Sequence, residues 1–93
     1  MWLETITVRT PELHRLEACL PQLLRQLLDE APEISLAVYM RCPATSDLSL
    51  HLAHASPQSR TSDRGLRMAA ALSDFGTVDH ALWQSVYTTE IDR

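Results

Sequence analysis

The sequence predicts an α+β domain of order βαββαβ, a four-stranded antiparallel sheet with two helices on one face. Three observations carry this. The passage DRGLRMAAALSDFGTVDHALW, Asp63 to Trp83, reads as a helix, a glycine stop and a strand. Leucines recur at helical spacing from Leu13 to Leu28, and two segments between these helices alternate apolar and polar residues. Recurrence near 3.6 residues marks a core-facing helix, and alternation marks a half-buried strand. Right-handed crossovers then set both helices on the same face.

Trp2 to Arg9 is the first strand, with Ile6 and Val8 on one side and Leu3, Thr5 and Thr7 on the other. Thr10–Pro11–Glu12 is a helix start: a capping hydroxyl, proline at the first helical position and an acid in the first turn. Leu13, Leu16, Leu20, Leu23, Leu24, Leu27 and Leu28 then span about 140° of a helical wheel. Glu17 falls inside this stripe, and Pro21 removes a mid-helix hydrogen bond, which predicts a kink or a split. The helix should end at Ala31–Pro32, because a residue before proline disfavours helical geometry.

Ile34 to Cys42 is the second strand, presenting Ile34, Leu36, Val38 and Met40 on one face. Pro43 to Asp47 is a turn, and Leu48 to Ala55 is the third strand, with Leu48, Leu50 and Leu52 opposed to Ser49, His51 and Ala53. A polar loop leads to the second helix, capped by Ser62 or Asp63, whose core stripe is Met68, Ala71, Leu72 and Phe75. Leu66, Ala69, Ala70 and Ser73 form a small-residue face suited to another helix. Gly76 stands where a left-handed residue ends a helix, and Thr77 to Tyr87 is the fourth strand. Residues 1–93 make one domain, with 88–93 as a flexible tail.

Composition narrows the function classes. An apolar content of 45% is that of a globular chain, and a net charge of −4 with interspersed signs argues against nucleic acid or an anionic membrane as partner. The N-terminal stretch carries Glu4 and Arg9 and lacks the apolar run of a signal peptide, and no segment approaches a membrane span. Cys19 and Cys42 match no metal or redox spacing, so a cytoplasmic protein with two reduced thiols is expected, although sequence leaves a disulfide open. With only Gly65 and Gly76 in the chain there is no phosphate cradle, and no metal or cofactor signature is present.

The element order, together with GLRMAAALSDFG and the following TVDHALW, resembles the dimeric α+β barrel proteins, a ferredoxin-like group that includes small antibiotic-biosynthesis-type monooxygenases. That resemblance implies a homodimer with two sheets face to face, and a pocket inside the barrel or between sheet and helices. It carries over no catalytic residue. An RNA-recognition domain would need aromatic and basic residues on its third strand, where DLSLHLAHA has no Phe or Tyr. The acylphosphatase and amino-acid-binding relatives of the fold would need glycine in the first loop, where TPEL has none.

The sheet face away from the helices holds the candidate ligand-binding residues Tyr39, Arg41, His51 and Trp83. With Pro43–Asp47 as the turn, Tyr39 pairs opposite His51 and Arg41 opposite Ser49. Tyr, His and Arg on one face can bind an anion or a carbonyl, or move a proton near neutral pH. The plainer alternative is that these rings pack in a dimer core. His51 and His54 lie three apart on a strand and point to opposite faces, as do the adjacent Asp79 and His80. Two functions follow: a homodimeric small-molecule-binding or assembly module, or a cofactor-independent oxygenase- or isomerase-type enzyme using the same face.

Overall fold

The computed structural model describes residues 2–30, 34–41, 46–87 and 89. It contains β1 (Trp2–Arg9), α1 (Leu13–Glu30), β2 (Ser35–Met40), β3 (Asp47–His54), α2 (Asp63–Leu72) and β4 (Thr77–Gln84). The strands form one antiparallel sheet in the order β2-β3-β1-β4, so β1 and β3 are central. This is the ferredoxin-like α+β arrangement expected. Among the described residues no helix is long and apolar enough to cross a membrane.

The core lies between the sheet and the helices. Ile6, Val8, Leu48, Leu50 and Leu52 supply its floor, Leu13, Leu16 and Leu27 come from α1, and Met68 and Leu72 from α2. Each such side chain contributes about 1.5–3 kcal/mol through burial. Val38 and Met40 share this face but lie on the edge strand β2, where they stay 37% and 41% exposed.

α1 begins at Leu13 rather than at Pro11, because the Glu12 amide donates to Thr10 Oγ1 (2.9 Å) and the Glu12 carbonyl takes the first helical bond, from Leu16 (3.1 Å). The helix is not split at Pro21 but runs through it for 18 residues. Its leucines on both sides of the proline enter one core, and their burial outweighs an interior proline's cost of about 3 kcal/mol. Glu17 is exposed at the edge of the stripe.

α2 begins as expected, with the Gly65 amide donating to the N-cap Ser62 Oγ (2.9 Å). It ends at Leu72, short of Gly76, and residues 73–75 turn the chain. Gly76 is not left-handed. Its requirement is space, since a Cβ there would overlap the Arg9 carbonyl oxygen. The helix meets α1 through Arg64, Arg67, Met68 and Ala71, which border a cleft with Leu23, Gln26 and Leu27. Of the small-residue face, Leu66 is 47% exposed and Ala70 is exposed, while Ala69 packs against the core.

The hairpin register differs from the expected one by two residues. Tyr39 pairs with Ser49, Ala37 with His51 and Met40 with Leu48. The ladder extends past the expected turn because the Arg41 amide donates to the Asp47 carbonyl (3.1 Å), which draws Asp47 into β3. Residues 43–45 of that turn, and Cys42 at the expected end of the second strand, lie outside the described set. Parity is preserved, so each side chain keeps its face. β4 stops at Gln84, opposite Trp2, where β1 itself begins, so the expected extension to Tyr87 leaves the sheet. The proposed tail falls almost wholly outside the described residues.

Candidate functional site

Two polar constellations sit on opposite faces of the sheet. The buried one centres on Glu4, which shares the helix-facing side of β1 with Ile6 and Val8 and has no exposed surface. Its direct cross-strand partners are Leu52 and Leu82, while His54 and His80 lie diagonally, one on each side. His54 Nε2 meets Glu4 Oε1 at 2.9 Å, and His80 Nε2 bonds Oε2. From above, the Ser62 hydroxyl donates to Oε1 (2.8 Å) and its amide reaches both oxygens at 3.3 Å. The Ser62 hydroxyl therefore donates to the carboxylate while accepting from Gly65, tying the start of α2 to the sheet.

Burial pushes the Glu4 carboxyl up, but the hydrogen bonds from Ser62, His54 and His80 outweigh it and hold the group below its ordinary value of 4.5. An ionised carboxylate only accepts, so both imidazoles carry their proton on Nε2. Gly65 completes the arrangement: a Cβ there would overlap Glu4 Oε2 and lie 3.0 Å from His80 Nε2. Among the described residues no three His, Cys, Asp or Glu are placed to hold a metal ion. Sequence reasoning passed over this hub. Its signal was one acid and two histidines in the otherwise apolar phases of three adjacent strands.

The open face carries the four sequence-derived candidates. Tyr39 and His51, diagonal neighbours in the observed register, stack with ring centroids 4.5 Å apart and planes tilted by 48°. His51 Nε2 lies 3.0 Å from Ser49 Oγ, which lies 3.1 Å from Thr7 Oγ1 on the neighbouring strand. Arg41 is not opposite Ser49; its guanidinium lies 3.6 Å from Asp47, which Arg9 also holds at 3.2 and 3.3 Å. Hydrogen bonds from Arg9 and Ser46, then the charges of Arg9 and Arg41, keep Asp47 below its usual carboxylate value.

Trp83 stands apart on the opposite edge strand, 58% exposed, and its indole N–H donates to Thr5 Oγ1 (2.9 Å). Thr5 is the cross-strand partner of His51, so Trp83 leans towards the ring pair without joining it. A depression of about 250 Å³ opens beside Thr7, Tyr39, Met40, Arg41, Asp47 and Ser49. The face thus unites Tyr39 with His51, places Arg41 at one end and leaves Trp83 at the far edge. His54 and His80 lie on the other face, as strand alternation requires, and Cys19 is a free, exposed thiol.

No protein-family model and no curated protein matches the chain. Solved structures do. A Deinococcus radiodurans protein described as a "putative antibiotic biosynthesis monooxygenase" superposes with a TM-score of 0.65 at 12% identity, over 100% of both chains. The shared fold is the ferredoxin-like α+β arrangement. Rv0793 from Mycobacterium tuberculosis matches with a TM-score of 0.62 at 17% identity, over 97% of this chain and 100% of the other. At these identities the likeness concerns the fold of the single chain and leaves its chemistry to its own residues.

Proposed function

We propose that this chain is a homodimeric small-molecule-binding module whose ligand lies on the open sheet face, enclosed when a second copy covers it. One observation carries the reading: among the described residues nothing covers this sheet face, where Trp83 is 58% and Tyr39 55% exposed above a floor of Thr5, Thr7, Ser49 and His51. Aromatic surface of this size beside polar groups suits a partner or a ligand better than water. The fold of its structural relatives supports the same pairing.

Light scattering should give twice the 10.5 kDa chain mass at micromolar concentration, and native mass spectrometry of that dimer should retain a small organic ligand. A stable monomer overturns the reading. The Tyr39–His51 ring contact favours a second reading, a cofactor-independent oxygenase or isomerase on the same face. A ligand recovered unchanged after incubation in air supports binding alone, whereas an oxidised or rearranged one supports the enzyme.

A further inference from the structure

The open face contains an arrangement that neither the fold nor its relatives assign. Ser49 and His51 are two residues apart on β3, so both point away from the helices, and Ser49 Oγ lies within hydrogen-bond reach of His51 Nε2 at 3.0 Å. Thr7 Oγ1 lies 3.1 Å from the same Ser49 oxygen, across the strand pair where the two residues are direct partners. If Thr7 donates to Ser49, Ser49 is left to donate to His51, and the three groups form one directional chain. The Tyr39 ring, 4.5 Å from the imidazole and tilted by 48°, confines the ring on its outer side.

Ser49, but not His51, borders the depression of about 250 Å³, whose far wall includes Tyr39 and Arg41. Arg41 borders the depression with its guanidinium 3.6 Å from Asp47, a carboxylate that Arg9 also binds. A hydroxyl with an adjacent base on one side, and a space closed by a cation on the other, is the pattern of nucleophilic acyl transfer.

We propose that Ser49 and His51 form a nucleophile–base pair acting on short-chain carboxylic esters seated in this depression. The proposal rests on the open face being the ligand face. Ser49 Oγ attacks the ester carbonyl as His51 Nε2 takes its proton, and the oxygen that gains charge faces Arg41. The tetrahedral intermediate collapses, the C–O bond to the alcohol breaks, and His51 returns the proton to the departing alkoxide. Water then attacks the acyl-Ser49 ester with His51 again as base, releasing the carboxylic acid and restoring the serine. No oxidant or reductant is consumed. A substrate occupying the depression would keep bulk water from the acyl-serine, and a second chain over the face would do so further.

The test uses the full chain with p-nitrophenyl acetate and, separately, a fluorophosphonate probe. The chain has no lysine, its eight cations all being arginine, so side-chain amines do not compete for the label. Expected are a burst of p-nitrophenolate and a mass increment that peptide mapping places on Ser49. Ser49→Ala should lose that adduct while keeping its circular dichroism melt. Ser49→Cys should restore an acyl adduct at the same position, and His51→Gln should slow acylation by about 10²-fold or more. An unlabelled Ser49 in the native chain, or equal labelling in His51→Gln, overturns the proposal. Light scattering on the same samples separates the readings: a dimer without a Ser49 adduct overturns acyl transfer alone, and a monomer with one overturns the dimer alone.

Discussion

At the scale of the residue, Glu4 decides most. A carboxylate with no exposed surface is tolerated because four donors converge on it, the Ser62 amide and hydroxyl and the two imidazoles. Its carboxyl is held below the ordinary value of 4.5, so the unfolded chain binds this proton at a higher pH than the folded one. The stability it contributes is complete above the unfolded value and drains away as pH falls through the lower folded value. Glu4→Gln should therefore flatten the acid limb of melting temperature against pH below about 4.5. It should also cost roughly 1–3 kcal/mol at neutral pH, because the new amide turns donors toward donors. Thermal melts between pH ~3 and ~7 check this, and Asp47, depressed in both proteins, cancels in the comparison. An acid limb identical to that of the native chain would show that the hub carries little of the stability.

At the scale of the element, α2 and the turn after it separate two kinds of apolar residue. Leu72 has no exposed surface, whereas Phe75 is only partly buried, with the Arg15 guanidinium 4.7 Å above its ring. Leu72→Ala should cost about 2–5 kcal/mol and Phe75→Ala roughly 2 kcal/mol, below the ~3–5 usual for an enclosed ring. Urea denaturation of the two variants gives the order, and a costlier Phe75→Ala would place the ring deeper than it stands. Helical spacing put both residues on the core stripe, but it could not show that the helix ends at Leu72 and leaves Phe75 in the turn. The strands were more legible. Alternation assigned the faces of β1 and β3 correctly, because a period of two survives any even shift. The hairpin register was not legible, since it depended on the Arg41–Asp47 backbone bond at the end of the ladder.

At the scale of the whole molecule, the open sheet face is where the proposed second copy would close. A charge placed at the aromatic edge of that face should oppose closure by a second copy, since a buried unpaired carboxylate is strongly unfavourable. Trp83→Glu is expected to move the scattering mass from dimer to monomer with the circular dichroism spectrum preserved; a variant that stays dimeric would direct attention to another surface. The candidate site shows where sequence reading stops. Strand alternation was enough to set Tyr39, Arg41 and His51 on one face of a hairpin. The Glu4 hub could not be found that way, because it joins three strands and a helix cap whose mutual register exists only in the folded chain. The Ser49–His51 contact was equally hidden, two ordinary residues of a strand until side-chain geometry sets them 3.0 Å apart.

The notch at Gly65 has a consequence for descent. The missing side chain is filled by the end of Glu4, so positions 4 and 65 cannot vary independently. A homologue with alanine or larger at position 65 should carry a shorter residue at position 4, and one that keeps the glutamate should keep the glycine. Paired identity at these two sites, 61 positions apart, is thus the pattern expected to persist among relatives whose overall identity has decayed.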